Sequence, residues 1–248
     1  MLMYEARLNK FPWEVDMLRL AAQHAERFMA RAARELKPGM NAMAFDQMIQ
    51  IAAWEEDTEN SMSIVGKQTA IGPYWGIQLA PRNYVIQEGD VCRIDGGSTH
   101  LGYISDIART WVVGGSEGKP DQKHVETYAA LYEGMKKGLD ILGPGVVMRN
   151  FYEAVRAEVE KSPIFPNYAR GHVGHTISLK PQAEDNITIS RGQKTKFEPG
   201  MVVCVEFSYM AAQGAYAPGG YNIEDTFAIT EDGYDRFTMA NDHLIWNV

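Results

Sequence analysis

Apolar residues recur at helical spacing in four stretches of the chain, two in each half. The pattern predicts helices over residues 12–36, 42–55, 120–142 and 148–159. Pro12 suits the first turn of a helix, and Asn41 is a suitable N-cap for the second helix. A Pro-Gly break follows the first helix of each pair, with KPG at 37–39 and GPG at 143–145. Both halves therefore begin with two helices separated by a turn.

Short apolar runs follow each helix pair and predict β-strands. The predicted strands are residues 61–65, 91–95 and 106–113 in the first half, and 176–179, 202–206 and 226–230 in the second. Because the same order of elements occurs twice, we interpret the chain as an internal repeat with halves at 12–115 and 120–232. A chain of 248 residues can bury one sizeable core, so we expect a single domain over residues 1–248.

Acidic residues occupy equivalent places in the two halves. The stretches EGDVCRID and PGMVVCVE each pass from a turn through an apolar run to an acid, which is Asp95 in the first and Glu206 in the second. A second pair, Asp106 and Glu224, stands four residues after the glycine of a Gly-Tyr dipeptide in each half. The sequence thus predicts four carboxylates supplied symmetrically by strands.

A carboxylate in a buried strand requires a compensating partner, because its desolvation is costly. For one acid alone, an ion pair with Arg93 or Arg109 would be sufficient. Four acids at symmetric positions favour a metal site instead, with the arginines as supporting partners of the carboxylates. Oxygen ligands combined with one imidazole suit Mn²⁺, Fe²⁺, Co²⁺ or Zn²⁺, and the choice among these metals stays open.

Composition narrows the class of protein. Hydrophobic content of 45% and charged content of 23% are those of an ordinary globular protein. The net charge of −8 disfavours a nucleic-acid partner. Without a long apolar run or a signal-peptide pattern, we expect no membrane association and a cytoplasmic location. Cys92 and Cys204 are expected to be two buried thiols, with a disulfide between neighbouring strands as the alternative.

Five motifs, in order along nearly the whole chain, resemble those of the pita-bread metallopeptidase family. The motifs are IDGG at 94–97, GYISDIART at 102–110, GHTISL at 174–179, EPGM at 198–201 followed by Glu206, and GGYNIEDT at 219–226. The family includes methionine aminopeptidase, aminopeptidase P, prolidase and the metal-free creatinase. The resemblance implies an α/β (α+β) pita-bread fold, with pseudo-twofold duplicated halves and a curved antiparallel sheet flanked by helices. It also implies the catalytic domain alone, without a creatinase-type N-terminal domain.

The resemblance further implies a dinuclear metal site. Its ligands for two divalent metal ions (Mn, Fe, Co or Zn) would be Asp95, Asp106, His175, Glu206 and Glu224. One metal would take Asp95, Asp106 and Glu224, and the other would take Asp106, His175 and both glutamates. Glu206 would also be the catalytic base that handles the proton of a bridging water. Homodimers are common in the family, so a homodimer is expected here.

Three departures remove groups that handle peptides in the family. Segment 72–80 lacks the histidine that family peptidases carry upstream of the first aspartate. Gln182 stands where a second histidine is usual, and Asn222 replaces the usual arginine two residues before the last glutamate. His172 is a candidate catalytic replacement for the missing proton donor. Gln182 can orient a substrate, and Trp75 can line its pocket.

The resemblance implies a dinuclear metal-dependent hydrolase acting through a metal-bridging hydroxide. The expected activity is that of an aminopeptidase or dipeptidase of the X-Pro type, with a small peptide as the substrate. The alternative is a non-peptidase member of the same fold, either a lyase of the dimethylsulfoniopropionate type or a small-amide hydrolase, with a small-molecule substrate. The missing histidines favour that alternative. A non-enzymatic binding protein is a third hypothesis, which the intact set of ligands disfavours.

Overall fold

The computed structural model describes residues 6–56, 65–73, 83–114, 119–179, 187–212, 214–239 and 245–247. Two predicted substrate-binding residues, Trp75 and Gln182, lie outside the described residues. Residues 61–64 of the first predicted strand lie outside them as well.

Each predicted helix is present. The helices are α1 (Pro12–Glu35), α2 (Ala42–Glu55), α3 (Gln122–Leu139) and α4 (Met148–Val159). The Asn41 side chain caps α2 as predicted, since it accepts hydrogen bonds from the backbone N–H groups of Met43 and Ala44 at 2.9 and 3.3 Å. None of the helices among the described residues has the length and apolar character needed to cross a membrane.

The predicted end of the third helix at Leu142 is wrong, because α3 stops at Leu139. The N–H groups of Ile141 and Leu142 bond to carbonyls three residues back, at 3.0 and 3.4 Å. This tighter spacing is that of a 3₁₀ turn, which commonly closes an α-helix before a Gly-Pro break.

The strands follow the helix pairs, as predicted. They are β1 (Val65–Ile71), β2 (Val91–Gly97), β3 (Thr99–His100), β4 (Tyr103–Ile104), β5 (Ile107–Val113), β6 (His172–Thr176), β7 (Thr188–Ser190), β8 (Val202–Ala211), β9 (Gly219–Ile229), β10 (Tyr234–Arg236) and β11 (Ile245–Asn247). A short 3₁₀ helix, Phe165–Asn167, precedes β6.

The predicted strand at 176–179 is wrong, because the strand in this region is β6, which ends at Thr176. The prediction followed the apolar residues after His175, whereas β6 contains two histidines that an apolar pattern cannot detect. β8 and β9 are also longer than predicted, reaching Ala211 and starting at Gly219 respectively. The prediction ended β8 at the charged Glu206, and glycine and polar residues interrupt the apolar pattern in the first part of β9.

Nine of the described strands form one sheet. Its order is β1-β2-β5-β9-β8-β6-β7, with β10 beside β9 and β11 beside β5. The pairings are antiparallel, except that β11 runs parallel to β5. Strands β5 of the first half and β9 of the second half are neighbours, with Ala108 opposite Glu224. The two halves therefore meet at the middle of the sheet.

Both halves make the same backbone contacts around their helix breaks. The N–H group of Gly39 donates to the carbonyl of Ile86 at 2.8 Å, and that of Gly145 donates to the carbonyl of Phe197 at 2.8 Å. The two glycines share a φ of +85°, which a residue without a Cβ adopts at little cost. An isolated β-bridge follows each break. The two helix pairs are thus connected to the sheet in equivalent ways.

Side chains of β8 alternate between the two faces of the sheet. Val203, Val205 and Phe207 belong to the apolar core that packs around α3 and α4. Cys204 and Glu206 point to the opposite face. The site residues lie on this second face, and the helical core holds the strands in register beneath them.

Candidate metal centre

Five side chains with metal-ligating atoms converge near the middle of the sheet. They are Asp95 in β2, Asp106 immediately before β5, His175 in β6, Glu206 in β8 and Glu224 in β9. Ligand atoms of Asp95, Glu206 and Glu224 lie within 4.8 Å of one another. Those of Asp106, His175 and Glu224 also lie within 4.8 Å of one another. Glu224 belongs to both groups and joins them.

Strand register explains this convergence. Asp95 is opposite Ala108, Ala108 is opposite Glu224, and Glu224 is opposite Glu206. Three acids therefore occupy one row across four neighbouring strands. His175 enters from β6, where it is opposite Cys204 of β8. A shift of one residue in any of these pairings would turn an acid to the other face.

Burial and mutual repulsion disfavour the charged forms of three of the acids. Burial raises the pKa of Asp95 to about 6; the Arg93 guanidinium opposes this shift and the Glu206 carboxylate adds to it. Burial, followed by the neighbouring carboxylates, also raises the pKa values of Asp106 and Glu224 well above the ordinary range. The nearby guanidinium groups of Arg93 and Arg170 are thus not sufficient to offset the burial of these three carboxylates.

Glu206 has a different environment. Its burial disfavours the charged form, but the Arg170 guanidinium, followed by His172, lowers its pKa below the ordinary value. Arg170 forms an ion pair with one carboxylate oxygen of Glu206, and the Nδ1 atom of His172 lies 3.2 Å from the other. Glu206 is thus held as a carboxylate, which is the form that a base requires.

His175 is oriented by the backbone. Its Nδ1 atom lies 3.1 Å from the carbonyl oxygen of Thr176, to which it can donate a hydrogen bond. The Nε2 atom is then available as a ligand, and it lies 3.5 Å from Oδ2 of Asp106. A carbonyl that fixes the tautomer of an imidazole in this way is the usual support of a metal-binding histidine.

An irregularity in β6 brings His172 to the same site. His172 is opposite Ser190 and His175 is opposite Thr188, so the register between β6 and β7 shifts between the two histidines. In a regular strand, residues three apart face opposite sides. The extra residue of a bulge restores the same side, and both imidazoles reach acids of the cluster. Burial lowers the pKa of His172.

Asn222 supports two of the acids. Its Nδ2 group donates a hydrogen bond to Oδ2 of Asp95 at 3.0 Å and to Oε2 of Glu224 at 3.4 Å. Asn222 is completely buried, and it stands where the family resemblance leads us to expect an arginine. A neutral donor therefore replaces a cation beside the cluster.

Cys204 is a member of the cluster that the sequence analysis did not identify. Its thiol lies within 4.8 Å of ligand atoms of Asp106, His175 and Glu224. The signal was its position two residues before Glu206, which places both side chains on one face of a strand. Cys92 and Cys204 are both free and buried, so the interpretation as two thiols is confirmed and the disulfide is excluded.

The two predicted supporting arginines have separate tasks. Arg93 is fully buried, and its charge opposes the rise that burial causes in the pKa of Asp95. Arg109 pairs with Asp225 at 2.9 Å and donates a hydrogen bond to the backbone carbonyl of Glu224, also at 2.9 Å. Arg109 therefore fixes the strand that carries Glu224 and contacts no carboxylate of the cluster.

The residues fit divalent cations. Four carboxylates and one imidazole supply hard oxygen donors and a borderline nitrogen donor, a set suited to Mn²⁺, Fe²⁺, Co²⁺ or Zn²⁺. Three of the carboxylates are disfavoured as anions in the protein alone, and bound cations would remove that penalty.

Comparisons with known proteins agree with this geometry. The model of metallopeptidase family M24 matches residues 16–231. The chain is 27% identical over 247 residues to the Xaa-Pro dipeptidase of Pyrococcus furiosus, covering 97% of this chain and 66% of that protein. It is 30% identical over 233 residues to the probable dipeptidase PepE of Mycobacterium bovis, covering 92% of this chain and 57% of that protein.

Solved structures agree in fold. The crystal structure of dipeptidase PepE from Mycobacterium ulcerans matches with a TM-score of 0.86 and 25% identity, covering 99% of this chain and 63% of that chain. The prolidase from Pyrococcus furiosus matches with a TM-score of 0.83 and 23% identity, covering 97% of this chain and 68% of that chain, which shows the fold alone. This chain spans less than two thirds of the length of the two curated relatives. The expected pita-bread fold is confirmed, and the chain belongs to metallopeptidase family M24.

Proposed function

We propose that this chain is a divalent-metal-dependent hydrolase that cleaves short peptides, in the manner of an Xaa-Pro dipeptidase. The observation that carries the proposal is the row of carboxylates from Asp95 to Glu206, completed by Asp106 and His175. Such a cluster is costly to bury in a protein that has no use for cations. The names of the two similar proteins, Xaa-Pro dipeptidase and probable dipeptidase PepE, support the choice of substrate.

The ligand set would hold two cations, with Mn²⁺ as the first choice for a test. Asp95, Asp106 and Glu224 would hold one, and Asp106, His175, Glu206 and Glu224 would hold the other. Bound cations would supply Lewis-acid activation of a substrate carbonyl and of a water molecule.

The protein side chains would then move the proton. Glu206 is held as a carboxylate by Arg170 and can accept a proton from the attacking water. His172 lies 3.2 Å from Glu206 and is placed to pass that proton to the leaving nitrogen. Asn222 keeps Asp95 and Glu224 oriented during the reaction.

A non-peptidase reaction is the second candidate. The observation that favours it is the loss of two histidines expected from the family resemblance, one in segment 72–80 and one at Gln182, together with the neutral Asn222 where an arginine is expected. A lyase of the dimethylsulfoniopropionate type or a small-amide hydrolase would use the same cluster and would not need the peptide-handling groups. Gln182 and Trp75, as substrate-binding residues, belong equally to either proposal.

Amino-acid release from short peptides tests the first proposal. Wild-type protein loaded with Mn²⁺, Fe²⁺, Co²⁺ or Zn²⁺ is incubated with a panel that includes X-Pro dipeptides. Glu206→Gln should reduce turnover by about 10²–10⁴-fold, because general-base catalysis contributes that much. The exposed Glu198→Gln is the matched control and should keep full activity.

Two results would count against the peptidase. Peptide turnover that is unchanged in Glu206→Gln would show that Glu206 is not the catalytic base. Absence of turnover across the panel, with two metal ions bound per chain, would exclude a peptidase and favour the second candidate.

The remaining assignments concern the whole molecule. We propose one domain over residues 1–248 with repeated halves, supported by the equivalent helix-break contacts. We also propose a cytoplasmic homodimer without nucleic-acid or membrane partners. The net charge of −8 supports the lack of a nucleic-acid partner, and the homodimer rests on the family resemblance alone. Size-exclusion chromatography coupled to light scattering measures the molecular mass of the protein and tests whether it is a dimer.

A further inference from the structure

A cavity of about 190 Å³ lies beside the carboxylate cluster. Its lining residues come from the segment before β6 and from the second half of β8, and they are Asn167, Ala169, Arg170, Ser208 and Met210. This volume is below the ~300–1,000 Å³ of sites for drug-sized ligands. The cavity therefore suits a small chemical group and not a long chain.

Ser208 brings an unsatisfied polar group to the cavity. It follows Glu206 by two residues in β8, so both side chains lie on the same face. Ser208 is only 4% exposed, and its Oγ atom has no hydrogen-bond partner among the described residues. Buried hydroxyl groups are normally hydrogen-bonded, so the Ser208 hydroxyl is able to bond to a polar group that enters the cavity.

Arg170 brings a positive charge. One terminal nitrogen of its guanidinium pairs with Glu206. Its Nε atom is buried and has no hydrogen-bond partner in the part of the chain that the structure describes. A guanidinium offers five N–H donors in a planar fork that matches a carboxylate. One edge of Arg170 thus holds Glu206, and further N–H groups are available to the cavity.

We propose that this cavity is the subsite for a free carboxylate of the substrate, held by Arg170 and Ser208. The inference rests on the proposed function, because it places this carboxylate next to the metal centre. Ala169 and Met210 provide apolar contacts for the carbon atoms beside the carboxylate. An arginine from the segment before β6 would then anchor the substrate of this chain.

The position of the subsite limits the length of the substrate. Two residues of a strand span about 7 Å, so Ser208 lies roughly that far along β8 from Glu206. The carboxylate must therefore be within about one residue of the bond that reacts. A dipeptide with a free C-terminus satisfies this condition, as does a short non-peptide acid. A longer peptide would place an uncharged amide on Arg170.

Calorimetric titration of the Mn²⁺-loaded protein tests the subsite without any turnover. The probes are two matched pairs, L-proline with L-prolinamide and propionate with propionamide. Each pair differs in the carboxylate alone, and the two pairs separate a peptide C-terminus from a small acid. Wild type should bind at least one of the acids about 10- to 100-fold more tightly than its amide, as expected for a charge-assisted hydrogen-bonded pair.

Three variants test whether the cavity causes the preference for the acid over its amide. Arg170→Met should reduce the acid-to-amide ratio to near one, and Ser208→Ala should reduce it by a few fold. Arg149→Met removes an exposed arginine of α4 and should leave the ratio unchanged. Because Arg170 also contacts Glu206, the Mn²⁺ content of each variant is measured by elemental analysis. If Arg170→Met binds less Mn²⁺ than wild type, the effect of Ser208→Ala on the acid-to-amide ratio decides the test.

The outcomes separate this inference from the proposed function. An acid preference that persists in Arg170→Met, or that is absent from wild type, would overturn the subsite. Absence of peptide turnover combined with an Arg170-dependent preference would overturn the peptidase and leave the subsite in place. A preference limited to proline would identify the carboxylate as a peptide C-terminus, and one limited to propionate would identify a small acid.

Discussion

The amide of Asn222 orients two carboxylates without neutralising either of them. It donates to Asp95 at 3.0 Å and to Glu224 at 3.4 Å. An arginine in its place would bring a positive charge that competes with cations for the same acids. The neutral amide leaves both charges for the metal centre, while it still fixes the direction of their oxygen atoms.

Removal of this amide should weaken metal binding. We expect Asn222→Ala to bind Mn²⁺ about 10- to 100-fold less tightly, because supporting hydrogen bonds contribute that much to metal affinity. Asn150→Ala, at an exposed position of α4, is the matched control and should bind as wild type. Calorimetric titration with Mn²⁺ measures both variants. Equal affinities would show that Asn222 has no part in organising the ligands.

At the scale of the element, β6 depends on one glycine between its two histidines. Gly174 has a φ of +139°, which residues with a side chain rarely adopt. A Cβ atom at this position would lie 2.2 Å from the carbonyl oxygen of Cys204. Gly174 therefore allows β6 to approach β8 closely, at the point where His175 enters the cluster.

Substitution at Gly174 should be costly. We expect Gly174→Ala to lower the free energy of unfolding by about 2–3 kcal/mol, because the new methyl group meets backbone and not a flexible side chain. The exposed Gly171 has no atom within 4 Å of an added Cβ, so Gly171→Ala is a matched control with little expected effect. Urea unfolding followed by circular dichroism measures the difference. Similar midpoints for the two variants would contradict the close packing of β6 on β8.

At the scale of the whole molecule, the carboxylate cluster opposes folding when no cation is bound. The pKa of Asp95 is raised to about 6, and those of Asp106 and Glu224 are raised as well. A group whose pKa is higher in the folded state stabilises the fold below its unfolded pKa and loses that effect as the pH rises through its folded value. The stabilising contribution of Asp95 is therefore present below about pH 4 and is lost above about pH 6.

Removal of the metal should thus lower the stability of the fold more at higher pH. Mn²⁺ at a hundred times its dissociation constant stabilises the fold by about 2.7 kcal/mol per site. For a chain of this length, each site then contributes a change in Tm of roughly 5–10 °C, and the two proposed sites together contribute roughly 10–20 °C. We expect EDTA to lower the Tm by this amount at pH 7.5 and by much less at pH 5, where protons compete for the ligands. Differential scanning calorimetry with and without EDTA at both pH values measures the decrease in Tm. An equal decrease in Tm at the two pH values would contradict the expected linkage.

The sequence alone determined the helices, their breaks and the identity of the acids. Helical periodicity is local, and Pro12, Asn41 and the Pro-Gly breaks act within one or two turns, so the bounds of α1, α2 and α4 followed from neighbouring residues. Asp95 and Glu206 could be selected because each ends an apolar run, where a charge has a cost that one chain segment already reveals. Asp106 and Glu224 could be selected because each stands four residues after the glycine of a Gly-Tyr dipeptide.

The way in which these residues meet depends on the tertiary structure. The row from Asp95 to Glu206 depends on the pairing of strands that are far apart in sequence. The bulge that brings His172 beside Glu206 and the closeness of the Cys204 thiol depend on register, which no local pattern specifies. The cavity at Arg170 exists because the segment before β6 lies along β8. Local spacing therefore determined which side chains are available, and strand pairing over long sequence distances determined which of them form a site.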